Sequence, residues 1–113
     1  KLPVTQQTLF PIGSCTKAFT ALVMGQLIDD GKISWDDPVK NFIPEFCLSD
    51  SDAIKNMTIR DLLAHRTGLM RHDSIWTYLH ISRYDVIPLL KHFDQAYSFR
   101  REFEYNNFMY VLA

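Results

Sequence analysis

Phe10-Pro11-Ile12-Gly13-Ser14-Cys15-Thr16-Lys17-Ala18-Phe19-Thr20-Ala21, continuing through Leu22-Val23-Met24-Gly25-Gln26-Leu27-Ile28, is the stretch on which the reading of the whole chain turns. Positions 15, 18, 19, 22, 23, 26 and 27 recur at helical spacing and are apolar except for Gln26. The opposite face carries Lys17, Ala21, Met24 and Ile28. A helix this apolar on every side is expected at the centre of a globular protein, covered all round. Cys15 then reads as a core residue of the apolar stripe rather than a nucleophile. Asp29 and Asp30 end the run, and Gly31 stands where a left-handed residue closes a helix.

The first turn of that helix holds the chemistry. Ser14 and Lys17 are three residues apart, so their side chains share a face and can touch. A serine hydroxyl becomes a useful nucleophile only when a neighbouring base takes its proton, and a lysine serves as that base only when dehydration lowers its pKa. The apolar surroundings of the helix are expected to supply the dehydration. The Ser14 N–H, at the positive end of the helix, would face a developing oxyanion. The spacing alone is also met by a serine that caps the helix and a lysine that reaches out to water.

Working outward, Asp37-Pro38 predicts a short helix through Ile43, stopped by Pro44. Residues 47–56 read as polar and irregular. Thr58 with Asp61 forms a capping box ahead of Ile59, Leu62 and Leu63, a helix that Gly68 is expected to terminate. Ser82 with Asp85 repeats the box before Val86, Ile87, Leu89 and Leu90, but Pro88 falls where it removes an interior hydrogen bond, so the segment is expected to be a kinked helix, a short one, or no helix. Residues 93–104 read as loop or short extended chain, with a new helix from about Asn107.

The 113 residues, 47% hydrophobic and 22% charged, suffice for one globular domain with a single core, and exclude disorder and fibrous repeats. With 12 basic and 13 acidic residues interspersed, net charge −1, no footprint for nucleic acid or an anionic membrane surface appears. The longest nearly apolar run, residues 18–28, falls short of the ~20 residues a bilayer span requires. Cys15 and Cys47 lack C-x-x-C spacing, and His65, His72, His80 and His92 lack a ligand pattern, so neither a zinc site nor a redox pair is indicated. The sequence opens on Lys1 and stops at Ala113 within an apolar helical pattern with no stop signal, and is expected to be a piece of a longer protein.

Four blocks, taken together, carry a family likeness: residues 10–21; Gly31-Lys32-Ile33-Ser34-Trp35-Asp36-Asp37-Pro38-Val39; Thr58-Ile59-Arg60-Asp61-Leu62-Leu63-Ala64-His65-Arg66-Thr67-Gly68-Leu69; and Tyr105-Asn106-Asn107. In this order they resemble the serine beta-lactamase and penicillin-binding-protein superfamily, in its branch of class C beta-lactamases, D-stereospecific peptidases and related esterases. The resemblance implies that this segment is mainly α. It would belong to an α/β (α+β) beta-lactamase/transpeptidase-like fold whose sheet lies mostly outside the chain. Residues 1–113 would be an incomplete serine hydrolase domain, comprising the nucleophile helix and the helical subdomain. Without its sheet the nucleophile helix would leave a large exposed apolar patch.

By the same resemblance Ser14 is acylated with Lys17 as its base partner, an assignment disputed across the superfamily. Tyr105 would shuttle protons, and Asn107 would bond both Lys17 and the acyl amide of the substrate. A phenol can do this work if an adjacent cation lowers its pKa. The third motif, a lysine or histidine two residues before a glycine, is missing. Arg66-Thr67-Gly68 imitates it but precedes Tyr105, whereas the family's version follows, and it is read as structural. No cofactor is implied. The partner would be a small-molecule or peptide substrate with a carbonyl acyl group.

His72-Asp73-Ser74 has the composition of a catalytic triad, yet neighbours along one segment do not align as a triad requires, and loop polarity is the expected explanation. Two functions follow from the pattern. One is a serine hydrolase that opens an amide, ester or beta-lactam bond through a seryl acyl-enzyme. The other is a non-catalytic binding or assembly module that keeps the fold. The joint presence of Ser14, Lys17 and Tyr105 favours the hydrolase.

Overall fold

In the computed structural model, which describes residues 2–79 and 81–113, a 3-10 turn at Gly13–Cys15 runs directly into helix α1, Thr16–Asp29. Gly31, at φ 68°, ends it as expected: the Gly31 N–H bonds the Ile28 carbonyl and the Lys32 N–H reaches back to Leu27. The helix is not central, however. None of its residues is buried, and Phe19, Leu22 and Val23 are 60%, 59% and 53% exposed. The half-buried stripe runs through Lys17, Ala21, Met24 and Ile28, one side of the helix rather than its whole circumference. Apolarity all round says that a helix needs cover; it does not say which side receives cover from residues 1–113. Cys15, expected in the core, is exposed for the same reason.

The core lies instead among five short helices. These are α2 (Ser51–Asn56), α3 (Ile59–Leu63), α4 (Ser74–Tyr78), α5 (Arg83–Val86) and α6 (Asn107–Leu112). Phe46, Leu48, Met57, Leu62, Leu69, Val86, Leu90 and Met109 are part of one contiguous cluster around Phe108. Trp76 stacks on the Phe108 ring at 4.8 Å between centroids, and Phe93 meets that ring edge-on at 5.1 Å.

Local sequence explains the element ends. In α2, within a segment expected to be irregular, the Asp50 carboxylate accepts the Asp52 and Ala53 N–H groups as an N-cap. The box of Thr58 and Asp61 starts α3, and that of Ser82 and Asp85 starts α5, which passes at Pro88 into a 3-10 segment, Ile87–His92. Asp37-Pro38 yields only a 3-10 turn at Val39–Asn41, with Pro38 as its N-cap. Gly68 does not terminate α3; the left-handed residue after that helix is His65, at φ 55°. Gly68, at φ 77°, is needed further on, where a Cβ would strike the Tyr97 carbonyl oxygen.

Among the described residues there is no strand, only isolated antiparallel bridges at Pro38–Thr58 and Leu69–Gln95. The second belongs to a longer zip: the Ala96 N–H bonds Gly68, Met70 bonds Asp94, Arg100 bonds Arg66 and Glu104 bonds His65, all at 2.8–2.9 Å through backbone groups. Residues 93–104 are thus a loop held along its length.

One buried carboxylate anchors this zip. Asp61 is fully buried and accepts from the Thr58 N–H and hydroxyl, from Arg66 Nε at 2.5 Å and from Arg100 Nη2 at 2.8 Å. Burial pushes its pKa up, but the Arg100, Thr58 and Arg66 hydrogen bonds outweigh that and hold it below 3.8. A depressed folded-state pKa contributes stability that is present above the unfolded value and lost as pH falls through the folded one. Asp61→Ala should therefore cost about 2–3 kcal/mol at neutral pH, below the full price of a severed buried pair because both arginines reach water. The difference from the unsubstituted protein should shrink below pH 3.8. Urea midpoints across pH check both statements.

Candidate active site

Ser14 sits in the 3-10 turn ahead of α1, where its hydroxyl is exposed and its N–H meets no acceptor among the described residues. The Lys17 ammonium, one turn on, donates to Ser14 Oγ at 3.3 Å and to Asn107 Oδ1 at 2.5 Å. Ser14 Oγ and Tyr105 OH share a hydrogen bond of 2.6 Å. The structure thus brings together all four residues singled out in the sequence, although 91 positions separate Ser14 from Tyr105. Lys17 is half-buried, its ammonium 4.7 Å from the centroid of the Tyr105 ring and 5.3 Å from that of Tyr110.

Tyr105 is placed by His65. The His65 carbonyl takes the Glu104 N–H at 2.8 Å and its Nδ1 takes the Asn106 N–H at 3.1 Å, so the residues on either side of Tyr105 are pinned to one histidine. The His65 ring lies 4.6 Å from the Tyr105 ring and 5.1 Å from that of Tyr110. Asn106 is fully buried; its amide donates to the Leu69 and Met70 carbonyls while its oxygen caps α6 at the Phe108 N–H. Asn107, on the first turn of α6, faces Lys17 as a result.

The electrostatics follow from these contacts. The Lys17 ammonium and then the Ser14 hydroxyl, both acting on the phenol oxygen, pull the Tyr105 pKa below 10.0; burial opposes them, and the Lys17 and Arg71 charges add to the fall. Burial, followed by the Lys17 charge, pushes His65 below 6.5, so the imidazole is neutral near pH 7 and its Nδ1 is free to accept. Burial raises Tyr110, which donates its hydroxyl to the Leu63 carbonyl at 3.1 Å.

His65 and Asp73 are the site residues that sequence reasoning did not assign. No local signal marks His65 in the sequence, because its partners lie about forty positions away. The segment His72-Asp73-Ser74 does not act as a triad: the His72 ring packs on Phe93 at 4.7 Å and Ser74 opens α4. Asp73 is nevertheless more than loop polarity. It accepts from Asn107 Nδ2 at 2.9 Å and from Arg71 Nε at 2.5 Å, and the Arg71 guanidinium lies 5.1 Å from the Tyr105 ring centroid. Among the described residues no cluster of three or more His, Cys, Asp or Glu could hold a metal, and no helix is long and apolar enough to cross a membrane. His80, one of the four histidines considered as ligands, lies outside the described residues.

A mainly helical segment with a hydroxyl, an ammonium, a phenol and an amide converging at the start of one helix defines a class. The chain belongs to the beta-lactamase family, whose model matches residues 1–113. It is 35% identical to an unguisins hydrolase of Aspergillus campestris across 97% of this chain and 22% of that protein. It is also 35% identical to a teichoic acid D-alanine hydrolase of Staphylococcus aureus, across 70% of this chain and 19% of the other. Among solved structures, the D-amino acid amidase of Ochrobactrum anthropi SV3 with D-phenylalanine superimposes with a TM-score of 0.79 and 30% identity, covering 99% of this chain and 32% of that one. The chain therefore spans a third or less of the length of these relatives, and the mainly helical segment matches one part of their fold.

Proposed function

We propose that the protein is a beta-lactamase-related serine hydrolase that cleaves an amide, ester or beta-lactam bond through an acyl-enzyme on Ser14. Residues 1–113 then supply its nucleophile helix and helical part as an incomplete catalytic domain. The observation that carries this is the 2.6 Å contact between Ser14 Oγ and Tyr105 OH beside the Lys17 ammonium.

In this reading the Tyr105 phenolate takes the Ser14 proton as Oγ attacks the carbonyl carbon. The phenol oxygen is nearer than Lys17 Nζ, at 2.6 against 3.3 Å, and Lys17 is placed as the cation that keeps the phenol acidic. The Ser14 N–H receives the oxyanion. Collapse of the tetrahedral adduct breaks the bond to the leaving group, to which Tyr105 returns the proton. Water then attacks the ester, again through Tyr105, and Ser14 is released. Asn107 holds Lys17 and offers its amide to the acyl side of the substrate. The substrate is a small molecule or peptide with a carbonyl acyl group, and the relatives named for D-alanine and D-amino acid amides favour acyl groups built on a D-residue. Incubated with a fluorophosphonate or a penicillin, the full protein should gain the mass of one acyl or phosphonyl group on the peptide containing Ser14. No adduct at any probe concentration would defeat the proposal.

A further inference from the structure

Asn107 has two faces that look alike in shape and differ in chemistry: the carbonyl accepts and the amide donates. Its neighbours are one-sided. Lys17 only donates, at 2.5 Å from Oδ1, while the Asp73 carboxylate, ion-paired with Arg71, only accepts, at 2.9 Å from Nδ2. Turning the amide over would set Nδ2 against an ammonium and Oδ1 against a carboxylate, breaking both bonds and creating two repulsions. Asp73 thus fixes which end of Asn107 meets Lys17. The side chain of Asp73 is 29% exposed, which keeps this bond from being fully exchanged for water. Arg71, its other partner, lies against the Tyr105 ring.

We propose that Asp73 is a positioning residue: it orients the Asn107 amide so that Oδ1 holds the Lys17 ammonium beside Ser14 and Tyr105, leaving one Nδ2–H for the substrate. It touches no reacting atom. This rests on the hydrolase reading, and its effect is on the rate of acylation, because a lysine released from Asn107 no longer keeps the Ser14–Tyr105 pair in geometry.

The test is the rate of Ser14 labelling by a fluorophosphonate in the full protein, with stopped-time mass spectrometry as the readout. Asp73→Ala is expected to slow labelling by about 10- to 100-fold. Asp73→Asn, which keeps an accepting oxygen but can also donate, should lose less than the alanine variant and guards against a folding defect in it. In an Asn107→Ala background, Asp73→Ala should have no further effect, since its action runs through that amide. A role confined to holding α4 would instead give the same loss in both backgrounds. Equal labelling of the unsubstituted and Asp73→Ala proteins, or additive losses, would overturn the positioning role alone. Absence of labelling in the unsubstituted protein would overturn the hydrolase reading, and this inference with it.

Discussion

Alanine at position 14 should end turnover by the full protein, with kcat falling roughly 10⁴- to 10⁶-fold on an ester or amide substrate. The size of the loss reflects what is removed. Ser14 Oγ is the atom on which both the Tyr105 hydroxyl and the Lys17 ammonium converge, and among the described residues no other hydroxyl hydrogen-bonds with them. Stability should hardly change, because Ser14 is exposed and its side chain caps nothing. Steady-state assays beside urea titrations separate the two effects. If Ser14→Ala left every measurable activity of the unsubstituted protein unchanged while partner binding persisted, a module that keeps the fold without Ser14 chemistry would be favoured instead.

Tyr105→Phe is the second large effect. Phenylalanine keeps the ring against His65 but deletes the oxygen that shares the 2.6 Å bond with Ser14. The loss expected for a positioned proton-transfer group is about 10²- to 10⁴-fold. The pH profile carries a sign as well. Because Lys17 lowers the Tyr105 pKa below 10.0, the phenolate is populated at lower pH than an ordinary tyrosine allows. The rising limb of kcat/KM should then move to higher pH in Lys17→Ala and vanish in Tyr105→Phe. A limb in the same place in all three proteins would assign the ionisation to another group.

The residues that touch in the site were largely readable from the sequence, and those that hold them in place were not. Ser14 with Lys17, Thr58 with Asp61, and Ser82 with Asp85 are pairs three residues apart, so helical geometry alone brings them together. Tyr105 and Asn107 became legible through their family motif, since nothing local ties them to Ser14. His65 and Asp73 act on residues more than thirty positions away and gave no sign of it. Helix α2 escaped notice because it buries only Ala53, a single small residue in a polar stretch. The one-sided seating of α1 on residues 1–113 leaves no sign in the sequence, because the composition of the helix is nearly the same all round. Gly68 was assigned to a helix end when its lack of a side chain answers to Tyr97, far along the chain.

That α1 rests on the remainder along one half-buried stripe has a consequence for local stability. Nucleophile and phenol are carried by pieces 91 positions apart, and closing so long a span costs more chain entropy than a local contact does. Opening of that seam alone separates the two reacting oxygens while the remaining helices stay packed. Within residues 1–113, contact between Ser14 and Tyr105 should therefore be lost at lower denaturant concentration than the helical signal, so that it reports on this one seam rather than on the unfolding of the helices.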